Sequence, residues 1–183
     1  MKILDQHPGV AFPRLTDGMT DIDVRRLQCL MVVFELEDGE VLIKEGDYTA
    51  SLFIVQSGTL RISVGRRASP IELPGITAGQ WVGEVSLLDP GRASATVQVA
   101  GQTVVVELSH SALKYFIRTN PEGAAILLDA LTQNLAERLH RTSDGVICDD
   151  LGRRLLVDAF PQKTRGRVKK MLRTLSQQTD PAP

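Results

Sequence analysis

The sequence predicts a mainly β protein with α: an antiparallel β-roll or jelly-roll barrel followed by C-terminal helices. Three observations carry this expectation. From Val32 to Leu108 apolar residues recur with a period of two. Glycine-centred turns punctuate that stretch every few residues. After Ser109 the period becomes helical. A hydrophobic content of 43% over 183 residues suffices for a core and excludes a fully disordered chain.

At the front, Asp21 to Met31 reads as a short helix leading into the first strand. Strands are predicted at Val32-Val33-Phe34, Val41-Leu42-Ile43, Leu52-Phe53-Ile54-Val55, Leu60 to Val64, Thr96 to Val99 and Val104-Val105-Val106, all rich in β-branched residues. Turns are predicted at Asp38-Gly39, Glu45-Gly46-Asp47, Ser57-Gly58, Gly65, Pro74-Gly75, Ala78-Gly79 and Ala100-Gly101. Many short strands with regular turns suit a closed antiparallel architecture. Ser109 is placed to cap a helix over Ser111 to Arg118. Asn120-Pro121 then restarts the chain as an N-cap and first helical residue. Leu128, Leu131, Leu135 and Leu139 form one stripe on a helix ending near Asp144-Gly145. That stripe either buries against the barrel or pairs with its copy in a second subunit. Leu151 to Phe160 and Lys163 to Leu175 read as two further helical pieces, and Gln177 to Pro183 as a fraying end. Three regions result: 1–31 as an N-terminal segment, 32–144 as the roll with its long helix, and 145–183 as a basic helical tail.

Charge is divided unevenly between these regions. Residues 1–150 hold 13 Lys+Arg and 20 Asp+Glu, a net of -7, whereas residues 151–183 hold 8 and 2, a net of +6. Such a basic tail is expected to contact nucleic acid, an anionic membrane or an acidic protein, or to dock on its own acidic body. No run approaches the ~18 apolar residues of a membrane span, and Met1 to Pro13 lack a secretory signal's pattern. Cys29 and Cys148 form no CxxC and are expected as reduced thiols in a cytoplasmic protein.

The informative stretch runs from Gly79 to Val97. It reads as a strand that turns at Gly83 into one helical turn, then a polar loop and a second strand. The N–H groups of a helix start aimed into a barrel favour an anion, typically phosphate. Glu84 is placed to accept from a sugar hydroxyl. Arg92 offers a positive charge, and Ser94 and Thr96 offer hydroxyls.

Four motifs in order now resemble the cyclic-nucleotide-binding domain family of the Crp/Fnr-like kind. They are Gly39 to Asp47, Leu52 to Gly58, Gly83-Glu84 with Ala95-Thr96-Val97, and Arg138 to Ser143. The resemblance covers about Phe34 to Ser143. It implies that Gly83, Glu84 and the backbone of Val85 hold the cyclic phosphate and ribose, and that Thr142 and Ser143 contact the purine. The candidate ligand is cAMP or cGMP, with no other cofactor.

The resemblance breaks at the arginine that pairs with the phosphate. In the family it lies four residues before the final valine. Counting back from Val97 puts Ala93 there, with Arg92 one residue early. One step along a strand turns a side chain to the opposite face. Arg92 then points away from the phosphate, unless a one-residue deletion in the Asp89-Pro90-Gly91 loop restores it.

Catalysis is not expected. The histidines His7, His110 and His140 fall outside the barrel strands, so a cupin-type metal site lacks ligands. No Gly-x-Ser-x-Gly elbow or Walker loop occurs. A winged helix-turn-helix is not expected either, because only 38 residues follow Gly145. The expected function is a stand-alone regulatory sensor in which ligand draws the 121–144 helix toward the barrel and changes a homodimer face or the basic tail. The alternatives are a ligand-free scaffold that binds a protein partner through that helix and tail, or a nonspecific nucleic-acid binder or truncated transcription regulator.

Overall fold

A computed structural model of the chain describes residues 2–3, 12–65 and 70–141. The chain divides into two compact units, Met1–Leu131 and Thr132–Pro183. The expected boundary near Gly145, the tail and its helical pieces lie outside the described residues, as do Thr142 and Ser143.

The elements follow in chain order. A two-residue strand β1 (Lys2–Ile3) is followed by helices α1 (Pro13–Thr16) and α2 (Asp21–Gln28). Strands β2 (Val32–Leu36), β3 (Val41–Ile43), β4 (Tyr48–Thr49), β5 (Ser51–Val64), β6 (Ile71–Thr77) and β7 (Trp81–Val82) come next. Helix α3 (Glu84–Leu88), β8 (Gly91–Arg92), β9 (Thr96–Ser109), α4 (His110–Thr119) and α5 (Pro121–Arg141) complete the order. The main sheet runs β1-β2-β9-β5-β6, with β3 also on β9 and β7 also on β5, while β4 and β8 form a separate ribbon. Every pairing among the described residues is antiparallel. The β-roll with C-terminal helices is therefore the fold. Among the described residues, no helix is long and apolar enough to cross a membrane.

The two long strands explain the architecture. Leu52 and Ile54 of β5 face one core, whereas Phe53 and Val55 face another. Val106 and Leu108 of β9 join the first, and Val97, Val99 and Val105 join the second. A strand buried on both faces reads as a continuous apolar run, as Leu52-Phe53-Ile54-Val55 does. The first core packs the sheet against helices through Leu27, Leu113, Phe116, Leu127 and Leu131. The second fills the roll with Phe34, Leu36, Ile43, Leu60 and Ile76. The stripe residue Leu131 is fully buried in the helix-side core, and Leu128 packs beside it.

Three expected turns are instead strand interiors. Ser57-Gly58 lies within β5, Ala100-Gly101 within β9 and Pro74-Gly75 within β6. The β5–β9 register slips between Val55↔Val105, Ser57↔Val104 and Thr59↔Ala100, so the glycines serve bulges that bend paired strands. Gly58 has φ +90°, and a Cβ there would stand 2.4 Å from Thr103 Oγ1 and 2.7 Å from Gln102 O. Thr103 is fully buried. Its Oγ1 accepts from Thr59 N at 3.2 Å and faces Gly101 O at 3.1 Å. Pro74 sits on a strand at the end of the sheet order, where a missing ladder donor is tolerated.

The helical expectations hold at Ser109 and differ in detail elsewhere. Ser109 caps α4 by accepting from Ala112 N at 3.2 Å. Thr20 caps α2 by accepting from Asp23 N at 3.2 Å, and α2 ends at Gln28 rather than Met31. Asn120 precedes α5, but its side chain donates from Nδ2 to Asp23 Oδ1 at 2.7 Å, tying α2 to the α4–α5 junction. Gly123 permits that approach, because a Cβ there would stand 3.0 Å from Asp23 Cβ.

The two bulge glycines should respond differently to alanine. Both have positive φ, but Gly101 faces open space while Gly58 faces backbone and Thr103. Gly101→Ala should cost about 1–2 kcal/mol of stability from the left-handed conformation alone. Gly58→Ala should cost about 2 kcal/mol more through overpacking of a buried bulge. Denaturant midpoints of the two variants measure the gap.

Candidate functional site

The α3 turn and the β8 strand of the ribbon lie on one continuous piece of chain between β7 and β9. Strand β7 pairs with Phe53 and Ile54, which fixes where the chain enters the turn. Gly83 then takes φ +94°. A Cβ at this position would stand 2.3 Å from Ser51 O, so only glycine fits both the conformation and the close approach. Helix α3 follows, with Leu87 N donating to Gly83 O and Asp89 N to Val85 O, each at 2.8 Å. Glu84 is buried at 5% exposure, an uncommon position for a carboxylate, and Val85 is half-buried. The structure thus brings Gly83, Glu84 and Val85 together at one tight turn.

The ribbon decides where Arg92 and Ala93 go. Tyr48 pairs with Arg92 and Thr49 with Gly91. Gly46 N donates to Ala93 O at 2.9 Å, and Ala93 N donates to Asp47 O at 2.8 Å. Neighbouring side chains therefore diverge. Arg92 is exposed, and its Nη1 donates to Gly46 O at 2.7 Å. Ala93 is half-buried and packs against the roll-side core, as do Leu42, Ile62 and Val82. Ser94 is exposed. Thr96 is half-buried, and its Oγ1 accepts from Glu45 N at 3.1 Å. Its hydroxyl oxygen is thus engaged by backbone of the β3–β4 connection.

Around the turn stand residues that the sequence reading passed over. Ser51, directly under Gly83, donates from Oγ to Glu107 Oε1 at 2.6 Å. His110 Nδ1 lies 2.6 Å from Leu87 O, and His110 N donates to Ala50 O at 2.8 Å. Period and motif give no signal for these contacts, which join segments 23 to 60 residues apart.

With that geometry in place, the chain can be set beside known proteins. Residues 33–120 match the profile of the cyclic nucleotide-binding domain. That segment belongs to the cyclic nucleotide-binding domain family. It contains the whole stretch Gly83 to Thr96 and ends before Thr142 and Ser143. A CRP-like cAMP-activated global transcriptional regulator of Mycobacterium tuberculosis is 28% identical over 142 residues, which are 76% of this chain and 56% of that protein. The cAMP-activated global transcriptional regulator CRP of Haemophilus influenzae is 33% identical over 104 residues, 56% of this chain and 45% of that protein. The chain thus spans about half the length of these curated relatives. Among solved structures, the N-terminal domain of a transcriptional regulator from Streptomyces coelicolor aligns with TM-score 0.61 and 27% identity, covering 77% of this chain and 97% of that one.

Within the cyclic nucleotide-binding domain, the contacts that pin the ribbon can be separated by mutation. Thr96→Val removes the acceptor for Glu45 N, a loss of about 1 kcal/mol. Hydrogen exchange of the Glu45 amide should rise about fivefold. Arg92→Ala should leave that amide unchanged, since its contact is to Gly46 O.

Proposed function

We propose that this chain is a cytoplasmic, non-catalytic regulatory protein whose roll binds cAMP or cGMP weakly and signals through its C-terminal helices. The observation that carries this is the Gly83 turn. A left-handed glycine against Ser51 O starts a short helix with a buried Glu84, inside the segment that matches the family. Glu84 supplies acceptors for ligand hydroxyls, and Val85 contributes backbone. The names of the relatives, cAMP-activated regulators, support the ligand class.

Weakness follows from Ala93. Its methyl faces the roll core, and the adjacent guanidinium is held outside on Gly46 O. A missing charge-assisted contact to phosphate costs about 2–5 kcal/mol, or a few decades of affinity. A micromolar site becomes roughly millimolar on that scale.

The same contact favours a second reading, in which the roll has no ligand and is a scaffold. The long helix and the basic residues beyond 151 then bind a protein partner. One titration series separates the two. Calorimetry of the wild-type protein with cAMP and cGMP should give high-micromolar to millimolar binding that Glu84→Ala abolishes. Ala93→Arg, which places a guanidinium toward the roll, should tighten it at least about thirtyfold. Heat only in Ala93→Arg supports the scaffold. No heat in either overturns the cyclic nucleotide reading.

A further inference from the structure

His110 stands where the turn meets the helices. Its backbone N–H is fixed on Ala50 O, one residue before the Ser51 carbonyl that abuts Gly83. Its ring crosses to the other end of α3, with Nδ1 2.6 Å from Leu87 O. A carbonyl only accepts, so Nδ1 carries the proton in this contact. The Leu87 carbonyl belongs to the last turn of α3, where helix carbonyls lack intrahelical partners. His110 is itself the first residue of α4, whose cap is Ser109. One side chain thus closes the end of α3 and belongs to the start of α4.

The apolar contacts alongside are of another kind. Leu87 shares the helix-side core with Leu113 and Phe116 of α4. Apolar contact is non-directional and tolerates sliding. A short hydrogen bond fixes distance and direction. We propose that His110, as its Nδ1–H tautomer, is a positioning residue that locks α3 to α4, so that the Gly83–Asp89 turn and α4 move as one body. It rests on the reading above only for what it transmits; the lock itself exists without ligand.

The test is hydrogen exchange on the ligand-free protein, comparing wild type with His110→Asn and His110→Phe. The Asn side-chain amide places a donor where Nδ1 stands, while Phe keeps ring volume without one. In His110→Phe, exchange at Leu88 and Asp89 and at Leu113 to Phe116 should rise together by about three- to tenfold. The β5–β9 ladder should be unchanged, and His110→Asn should keep wild-type protection. Wild-type exchange rates at α3 and α4 in the Phe variant would overturn the lock. So would faster exchange at α3 alone, or an equal rise across the ladder, which is the response of a purely structural residue. Should the Phe variant fail to fold, ring-nitrogen shifts of wild-type His110 still decide: a proton on Nδ1 is required, and a neutral ring protonated on Nε2 alone overturns the proposal. A protein that gives no heat with cyclic nucleotides fails the earlier reading and leaves this comparison intact.

Discussion

Strands β5 and β9 pair from Ser51↔Ser109 to Ser63↔Thr96, and the rest of the structure hangs on that ladder. Its side chains alternate between two cores, so a slip of one residue would exchange Leu52 with Phe53 and empty both. The ladder stays paired through a bend because Gly58 lies against Thr103 with no Cβ between them. Before the bend the strands turn one face to the helices and the other to the roll; beyond it Leu60, Val97 and Val99 join the roll core. At the helix end of the ladder Ser51 meets Gly83, and Ser109 passes directly into α4. The site and the helices are thus anchored to the same few residues.

Much of this was legible in the sequence. Period-two strands, the shift to helical period after Ser109 and the apolar run Leu52 to Val55 gave the roll and its order. The lengths of the strands were not legible. Ser57-Gly58 and Ala100-Gly101 have the local composition of turns, and only a partner strand across the bulge shows that they continue. Strands β1, β4 and β8, of two residues each, are too short to show a period. Helix α1 spans four residues and was missed for the same reason.

For the site, Gly83 and Glu84 stood out because their types and order are specific. The divergence of Arg92 and Ala93 was foreseeable from strand alternation, since a fixed count back from Val97 sets the register. The guanidinium's destination was not, because Gly46 O lies 46 residues away in sequence. His110 appeared only as a histidine outside the strands, and its role depends on the end of a helix 23 residues earlier.

The placement of Ala93 also bears on the packing of the roll. A guanidinium at that position would face apolar side chains, and burying an unpaired charge is costly. Alanine removes that cost, because its methyl joins the packing of Leu42, Ile62 and Val82 against the roll core. Arg92, displaced by one residue, stays in solvent and contributes a hydrogen bond to the neighbouring connection. Together with the Ala93–Asp47 and Gly46–Ala93 bonds, it closes the ribbon. The same one-residue register that, in the proposed function, weakens a phosphate site therefore improves the packing of the roll. Closure of the ribbon and the weak binding proposed for the roll are two consequences of one side-chain alternation.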